Sequence, residues 1–157
     1  MKPHIKQFFK FLEKKEDKRA PLRVKLLNPK DFKIVPEDLN VRQSLNLSNT
    51  RVESLPDNLT IEGSLFLMDT PIKSLPNNLT VGRTLALHYT PIKSLPEDLK
   101  VGEDLWLAGT SIESLPGDLK VGGSLFLSKP LAKNYTEGQI RSMVEEKGGY
   151  IGKSIYI

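Results

Sequence analysis

The chain reads as an α/β solenoid, a stack of short parallel strands joined by turns and closed by helices at its two ends. Three observations carry that reading. Val35-Pro36, Leu55-Pro56, Leu75-Pro76, Leu95-Pro96 and Leu115-Pro116 recur at an unvarying spacing of 20 residues. The whole 20-residue unit recurs with them, as VRQSLNLSNTRVESLPDNLT, IEGSLFLMDTPIKSLPNNLT, VGRTLALHYTPIKSLPEDLK and VGEDLWLAGTSIESLPGDLK from Val41 onward. Each unit also holds an L-x-L segment with the alternation of a strand. A fixed period means one unit stacked on itself, and no single unit of this length buries its apolar side alone.

In chain order, residues 1–20 form the expected N-terminal helical cap. Ile5, Phe8, Phe9 and Leu12 fall at helical spacing among Lys6, Lys10, Lys14 and Lys15, which predicts an amphipathic helix over about 3–17. Residues 21–130 form the array, with its first and last repeats degenerate. Leu45, Leu65, Leu85, Leu105 and Leu125 make one core column, and Val52, Ile72, Ile92 and Ile112 another. Proline lacks an N–H, so Ser-Leu-Pro belongs on the return side of each coil and outside the ladder. Asp38, Asn58, Asn78, Asp98 and Asp118 follow two residues later and suit turns by bonding their own local backbone. Thr50, Thr70, Thr90 and Thr110 place a hydroxyl where the chain leaves the strand, to satisfy buried backbone groups. Gly82, Gly102 and Gly122 precede the strand and mark a positive φ or a close approach.

Residues 131–157 form the expected C-terminal cap. Thr136 with Gln139 fits a capping box, and Ile140, Met143 and Val144 give an apolar stripe, so a helix is predicted over about 136–147, ending at Gly148-Gly149. Residues 151–157, IGKSIYI, then repeat the pattern of VGGSLFL at 121–127 and predict one last strand. That strand presents an edge that could pair with a second copy, so weak self-association stands as one alternative.

The pattern L-x-L-x-x-T-x-I-x-S-L-P, kept in register over about residues 30–130, is similar to leucine-rich repeats. The 20-residue period with Leu-Pro resembles the short repeats of bacterial effector proteins, and similar arrays occur in small bacterial and phage-encoded proteins. The resemblance implies a parallel sheet on a concave face that binds another protein. One departure is the threonine column at 50, 70, 90 and 110, where that family usually has Asn. Some effectors with such repeats append a ubiquitin-ligase domain with a catalytic cysteine. This chain has no cysteine, so that activity is not carried over.

Composition narrows the field further. The absence of cysteine excludes disulfides, thiolate metal sites and cysteine nucleophiles. No apolar run approaches the ~18 residues of a membrane span. The start MKPHIKQFFKFLEKKED lacks an uninterrupted apolar core and a small-residue cleavage site, so residence in the cytoplasm of the producing cell is expected, with signal-less export left open. The net charge of +4 is unevenly placed: residues 1–40 hold a net +5 and residues 41–157 a net −1. A basic stripe along the strands, the mark of nucleic-acid binding, is missing from the repeats. His4 and His88 are the only histidines, no Gly-rich phosphate loop is present, and no cofactor is expected.

The outward strand positions point to a binding role instead. The middle column reads Asn46, Phe66, Ala86, Trp106, Phe126, Tyr156, with Ser48, Met68, His88, Ala108 and Ser128 beside it. Four aromatic side chains on a face that should meet water amount to roughly 300–500 Å² of apolar surface if half of each ring is offered. The chain is therefore expected to be a non-catalytic protein-binding module. Its partner-binding residues would be Phe66, Trp106, Phe126 and Tyr156, extended along one edge by Met68, His88 and Tyr89. The alternatives are mutual stabilisation of the stacked rings, carbohydrate or other ligand binding by the aromatic row, and membrane or nucleic-acid association through the basic N-terminal helix.

Overall fold

The computed structural model describes residues 20–156. The amphipathic segment at 3–17, and with it almost all of the expected N-terminal cap, lies outside the described residues. The first described element is a helix, α1 (Leu22–Leu27), followed by a 3-10 turn at Pro36–Leu39. Ten two-residue strands then follow along the chain: β1 (Asn40–Val41), β2 (Leu45–Asn46), β3 (Thr60–Ile61), β4 (Leu65–Phe66), β5 (Thr80–Val81), β6 (Leu85–Ala86), β7 (Lys100–Val101), β8 (Leu105–Trp106), β9 (Lys120–Val121) and β10 (Leu125–Phe126). Two helices, α2 (Lys129–Asn134) and α3 (Glu137–Glu145), lead to the last pair, β11 (Tyr150–Ile151) and β12 (Ile155–Tyr156).

The molecule is a parallel β-solenoid with a 20-residue coil. The repeat pattern alone suggests one strand per coil and a single sheet; the structure has two. Odd-numbered strands form one six-stranded sheet and even-numbered strands another, each in coil order. The bend between them falls on the three residues that separate each pair, such as Gly82-Arg83-Thr84. Neighbouring coils pair in parallel at identical positions: Leu45, Leu65, Leu85, Leu105, Leu125 and Ile155 form one ladder column.

Backbone hydrogen bonds join neighbouring coils in both sheets. In the first sheet Gly82 N–H donates to Ile61 O at 2.7 Å and Gly102 N–H to Val81 O at 2.8 Å. In the second sheet Leu65 N–H donates to Thr84 O at 2.9 Å and Leu67 N–H to Ala86 O at 2.9 Å. Each coil is thus tied to both neighbours by its own backbone.

Between the sheets and the return segments lies one continuous aliphatic core. Columns through Leu65, Leu67, Ile72, Leu75, Leu79 and Val81 and their equivalents are buried along the array. The leucine of each Ser-Leu-Pro turns inward as a core side chain, while the following proline keeps the return outside the ladder.

The threonine column works as expected. Thr50, Thr70, Thr90 and Thr110 donate Oγ–H to the carbonyls of Leu47, Leu67, Leu87 and Leu107 at 2.6, 2.8, 2.8 and 2.7 Å. The glycine column serves close approach and not positive φ: a methyl on Gly82, Gly102 or Gly122 would overlap the carbonyl of the preceding coil, at Glu62, Gly82 and Gly102. The Asx column differs from the expectation of local bonding. Asn58, Asn78 and Asp98 sit at φ of 61°, 55° and 64°, in the left-handed region that short polar side chains tolerate. Their polar bonds run between coils, as in Asn78 Nδ2 to Asn58 Oδ1 at 2.9 Å and Asp98 N to Asp118 Oδ2 at 3.0 Å. Only Asp38 bonds locally, accepting from Val35 N at 2.8 Å.

Both ends of the described array depart from the repeat. Near the N-terminal end the fully buried Lys25 of α1 meets Asp38 at 2.8 Å. Removing either partner would leave a buried charge alone, a defect of about 3–5 kcal/mol. At the C-terminal end the Thr136–Gln139 capping box is present, and α3 covers Glu137–Glu145, slightly inside the span read from the sequence. Helix α2 was not foreseen; Ser128 caps it, accepting from Leu131 N at 3.5 Å and donating to Ile112 O at 2.6 Å. Together α2 and α3 replace the Ser-Leu-Pro return, burying Leu131, Ile140 and Val144. The expected final strand at 151–157 is instead two short strands, β11 and β12, paired in register with β9 and β10.

Candidate interaction face

Parallel, in-register pairing sends every second side chain of the even-numbered strands to the same outer wall. Asn46, Phe66, Ala86, Trp106, Phe126 and Tyr156 are consecutive partners along that ladder. Strand spacing of about 4.8 Å then forces flat rings to lie parallel to one another. Trp106 and Phe126 stack with centroids 3.5 Å apart and planes 5° from parallel. Phe126 and Tyr156 continue the stack at 4.6 Å and 10°.

The column is not uniform. Ala86 has no ring and separates Phe66 from the three-ring stack, yet it is only 3% exposed, screened by its larger neighbours. Phe66, Trp106 and Phe126 are half-buried and Tyr156 is 50% exposed. The rings therefore shield each other's faces and turn their edges outward.

The second column adds His88, whose ring lies 5.2 Å from Trp106 at a 40° tilt, and 6.4 Å from Tyr89. Burial pushes the His88 pKa below its ordinary value of 6.5, with Asp69 opposing. Its Nδ1 is buried and has no hydrogen-bond partner among the described residues. Met68 is half-buried in the same column, and Ser128, read as outward, is fully buried at the N-cap of α2. Of the residues singled out in the sequence, Trp106, Phe126, Tyr156, His88 and Tyr89 are joined by ring-to-ring contacts, while Phe66 stands one coil away.

Tyr89 is the outlier. It is 68% exposed and sits at φ 58°, in the column otherwise held by Asn49, Asp69 and Gly109. That turn requires left-handed backbone, which costs a bulky L-residue about 1–2 kcal/mol. The ring lies against Gly109, where an added methyl would strike it.

No helix among the described residues is long and apolar enough to cross a membrane. The fold and this face define a class, the parallel β-solenoid repeat protein with an aromatic ladder on one sheet. Compared with protein-family models, curated proteins and solved structures, the chain matches none of them.

Proposed function

We propose that the chain is a non-catalytic protein-binding module that engages its partner through the outer wall of the even-numbered strands. The observation that carries this is the in-register column of Phe66, Trp106, Phe126 and Tyr156, with His88 and Tyr89 beside it. The wall is preformed, so little side-chain freedom is lost on binding. A centrally placed Trp flanked by Phe, Tyr and His has the composition of an interface hot spot. Tyr89 adds a second argument, because a strained and exposed aromatic residue gains the fold little.

The coils themselves are read as leucine-rich-repeat-like, with the effector-type Leu-Pro return, and the protein as resident in the cytoplasm of the cell that makes it. Sugar and nucleobase binding fit less well. Both need open ring faces to stack on, and along Trp106–Phe126–Tyr156 those faces are spent on neighbouring rings.

The test compares wild type with Trp106→Ala, Phe66→Ala and the pair in affinity capture from the producing cell, followed by titration of the captured protein. Loss of the stack at Trp106 costs the fold about 0.5–1.5 kcal/mol beyond lost burial. Partner affinity falls at least tenfold while the melting transition stays cooperative. Unchanged affinity in the double variant would sink the reading and leave the ladder as a device for stability alone.

A further inference from the structure

Every interior coil receives hydrogen bonds at fixed carbonyls. In the first sheet, the carbonyls of Ile61, Val81, Val101 and Val121 accept from Gly82, Gly102, Gly122 and Gly152, and those of Gly63, Arg83, Glu103 and Gly123 accept from Arg83, Glu103, Gly123 and Lys153. The matching carbonyls of the last coil are those of Ile151 and Lys153. Arg141 of α3 occupies both: Nη1 donates to Ile151 O at 3.0 Å and Nη2 to Lys153 O at 2.6 Å. Glu137 holds the guanidinium from the other side, at 3.1–3.3 Å.

The opposite end repeats the device on the other sheet. There the carbonyls of Phe66, Ala86, Trp106, Phe126 and Tyr156 accept from Leu47, Leu67, Leu87, Leu107 and Leu127. The matching carbonyl of the first coil is that of Asn46, and Arg23 of α1 donates Nε–H to it at 2.8 Å. At each end an arginine stands where the backbone amide of a further coil would be.

We infer that Arg23 and Arg141 are ladder terminators, which hold the array to its length by occupying the acceptors that a second copy of this chain would use to stack end to end. An edge strand with free acceptors is a template for another chain, and head-to-tail stacking of coils does not close on itself. A planar guanidinium delivers two parallel N–H groups in a fixed fork. That makes Arg141 a mimic of two successive amides, which a lysine cannot be. The partner kept out is a second copy, because only a strand of the same coil presents donors at the matching spacing.

The experiment is sedimentation of the 157-residue chain over a range of concentrations, for wild type, Arg141→Ala, Arg141→Gln and the Arg23→Ala/Arg141→Ala pair. Circular dichroism and a thermal melt check the fold of each. Wild type runs as one species. Arg141→Ala, still cooperatively folded, shows a mass-average rise of about twofold or more that grows with concentration, as open-ended stacking requires. Arg141→Gln keeps one donor and falls between them, and it serves as the deciding variant if the alanine variant fails to fold. The second arm adds Arg42→Pro. Residue 42 occupies the donor column of Gly82, Gly102 and Gly122, so a proline there removes an amide that end-to-end pairing needs while no earlier coil depends on it. Arg141→Ala with Arg42→Pro returns to the wild-type mass. Folded variants that sediment as wild type at every concentration, the Arg23→Ala/Arg141→Ala pair included, overturn the inference. So does association that Arg42→Pro leaves intact, since it would not run through the ladder.

Discussion

At the scale of single residues, two side chains on the outer wall sit where the fold would prefer something else. Tyr89 holds a left-handed backbone that its column fills with Asn, Asp or Gly. Tyr89→Asn is therefore expected to raise stability by about 0.5–1 kcal/mol, read as an upward shift of the melting temperature by calorimetry. A fall would mean that the ring's packing on Gly109 outweighs the strain. His88 carries a different burden. Its imidazole is partly desolvated beside Trp106, so the folded chain binds a proton less readily than the unfolded one. The unfolded state then holds more protons below pH 6.5, and stability rises with pH across that window. The contribution is complete above 6.5 and is lost as pH falls through the lowered folded value. Denaturant melts of wild type and His88→Gln between neutral and mildly acid pH should show wild type losing stability faster on acidification. Parallel slopes would count against the desolvated imidazole.

These residue-scale features were only partly legible in advance. That Phe66, Trp106, Phe126 and Tyr156 share a wall follows from the period, because a two-residue alternation repeated every 20 residues leaves no other register. Which rings touch did not follow. Contact depends on side-chain torsions and on the small Ala86 between Phe66 and Trp106, and the stacking at 3.5 Å could be seen only once those torsions were fixed. The outward reading of Ala86 and Ser128 failed to anticipate their burial for the same reason: larger neighbours from other coils cover the first, and the second is the N-cap of α2.

At the scale of elements, the coil is short because each part of it is minimal. Two two-residue strands, a bend and a proline return span 20 residues, and the glycine before the second strand lets successive backbones approach. Gly102→Ala would set a methyl against the Gly82 carbonyl and strain the Gly102–Val81 hydrogen bond of 2.8 Å. The expected loss is about 1–3 kcal/mol, the usual cost of overpacking, measured by chemical denaturation. A neutral result would show that the coils separate locally without penalty. The sequence marked this glycine as special without choosing between a left-handed turn and close approach. That choice belongs to the distance between coils, which no single repeat encodes.

At the scale of the whole molecule, regularity is also the hazard. A stack whose coils are interchangeable has no intrinsic length, and its ends offer the same backbone groups that its interior satisfies. The structure meets this with non-repeating segments: α1 supplies Arg23 and Lys25, the buried partner of Asp38, and α3 supplies Arg141. These contacts join positions 13, 23 and 10 residues apart that occur once each, so no column reveals them. Glu137→Arg141 reads in sequence as an ordinary i, i+4 helix pair, and its second role appears only when β11 arrives beside it.

The repeat alone determined the coil, its aliphatic columns, the inward leucines, the threonine ties and the shared wall of aromatic residues. Each of these is a local pattern that every copy states again, and parallel stacking multiplies it without alteration. Tertiary structure alone decided the split into two sheets, the rings that touch, and the arginines that stop the ladder. Those depend on where the chain bends in three dimensions and on side chains meeting once, across segments that have no repeat to predict them.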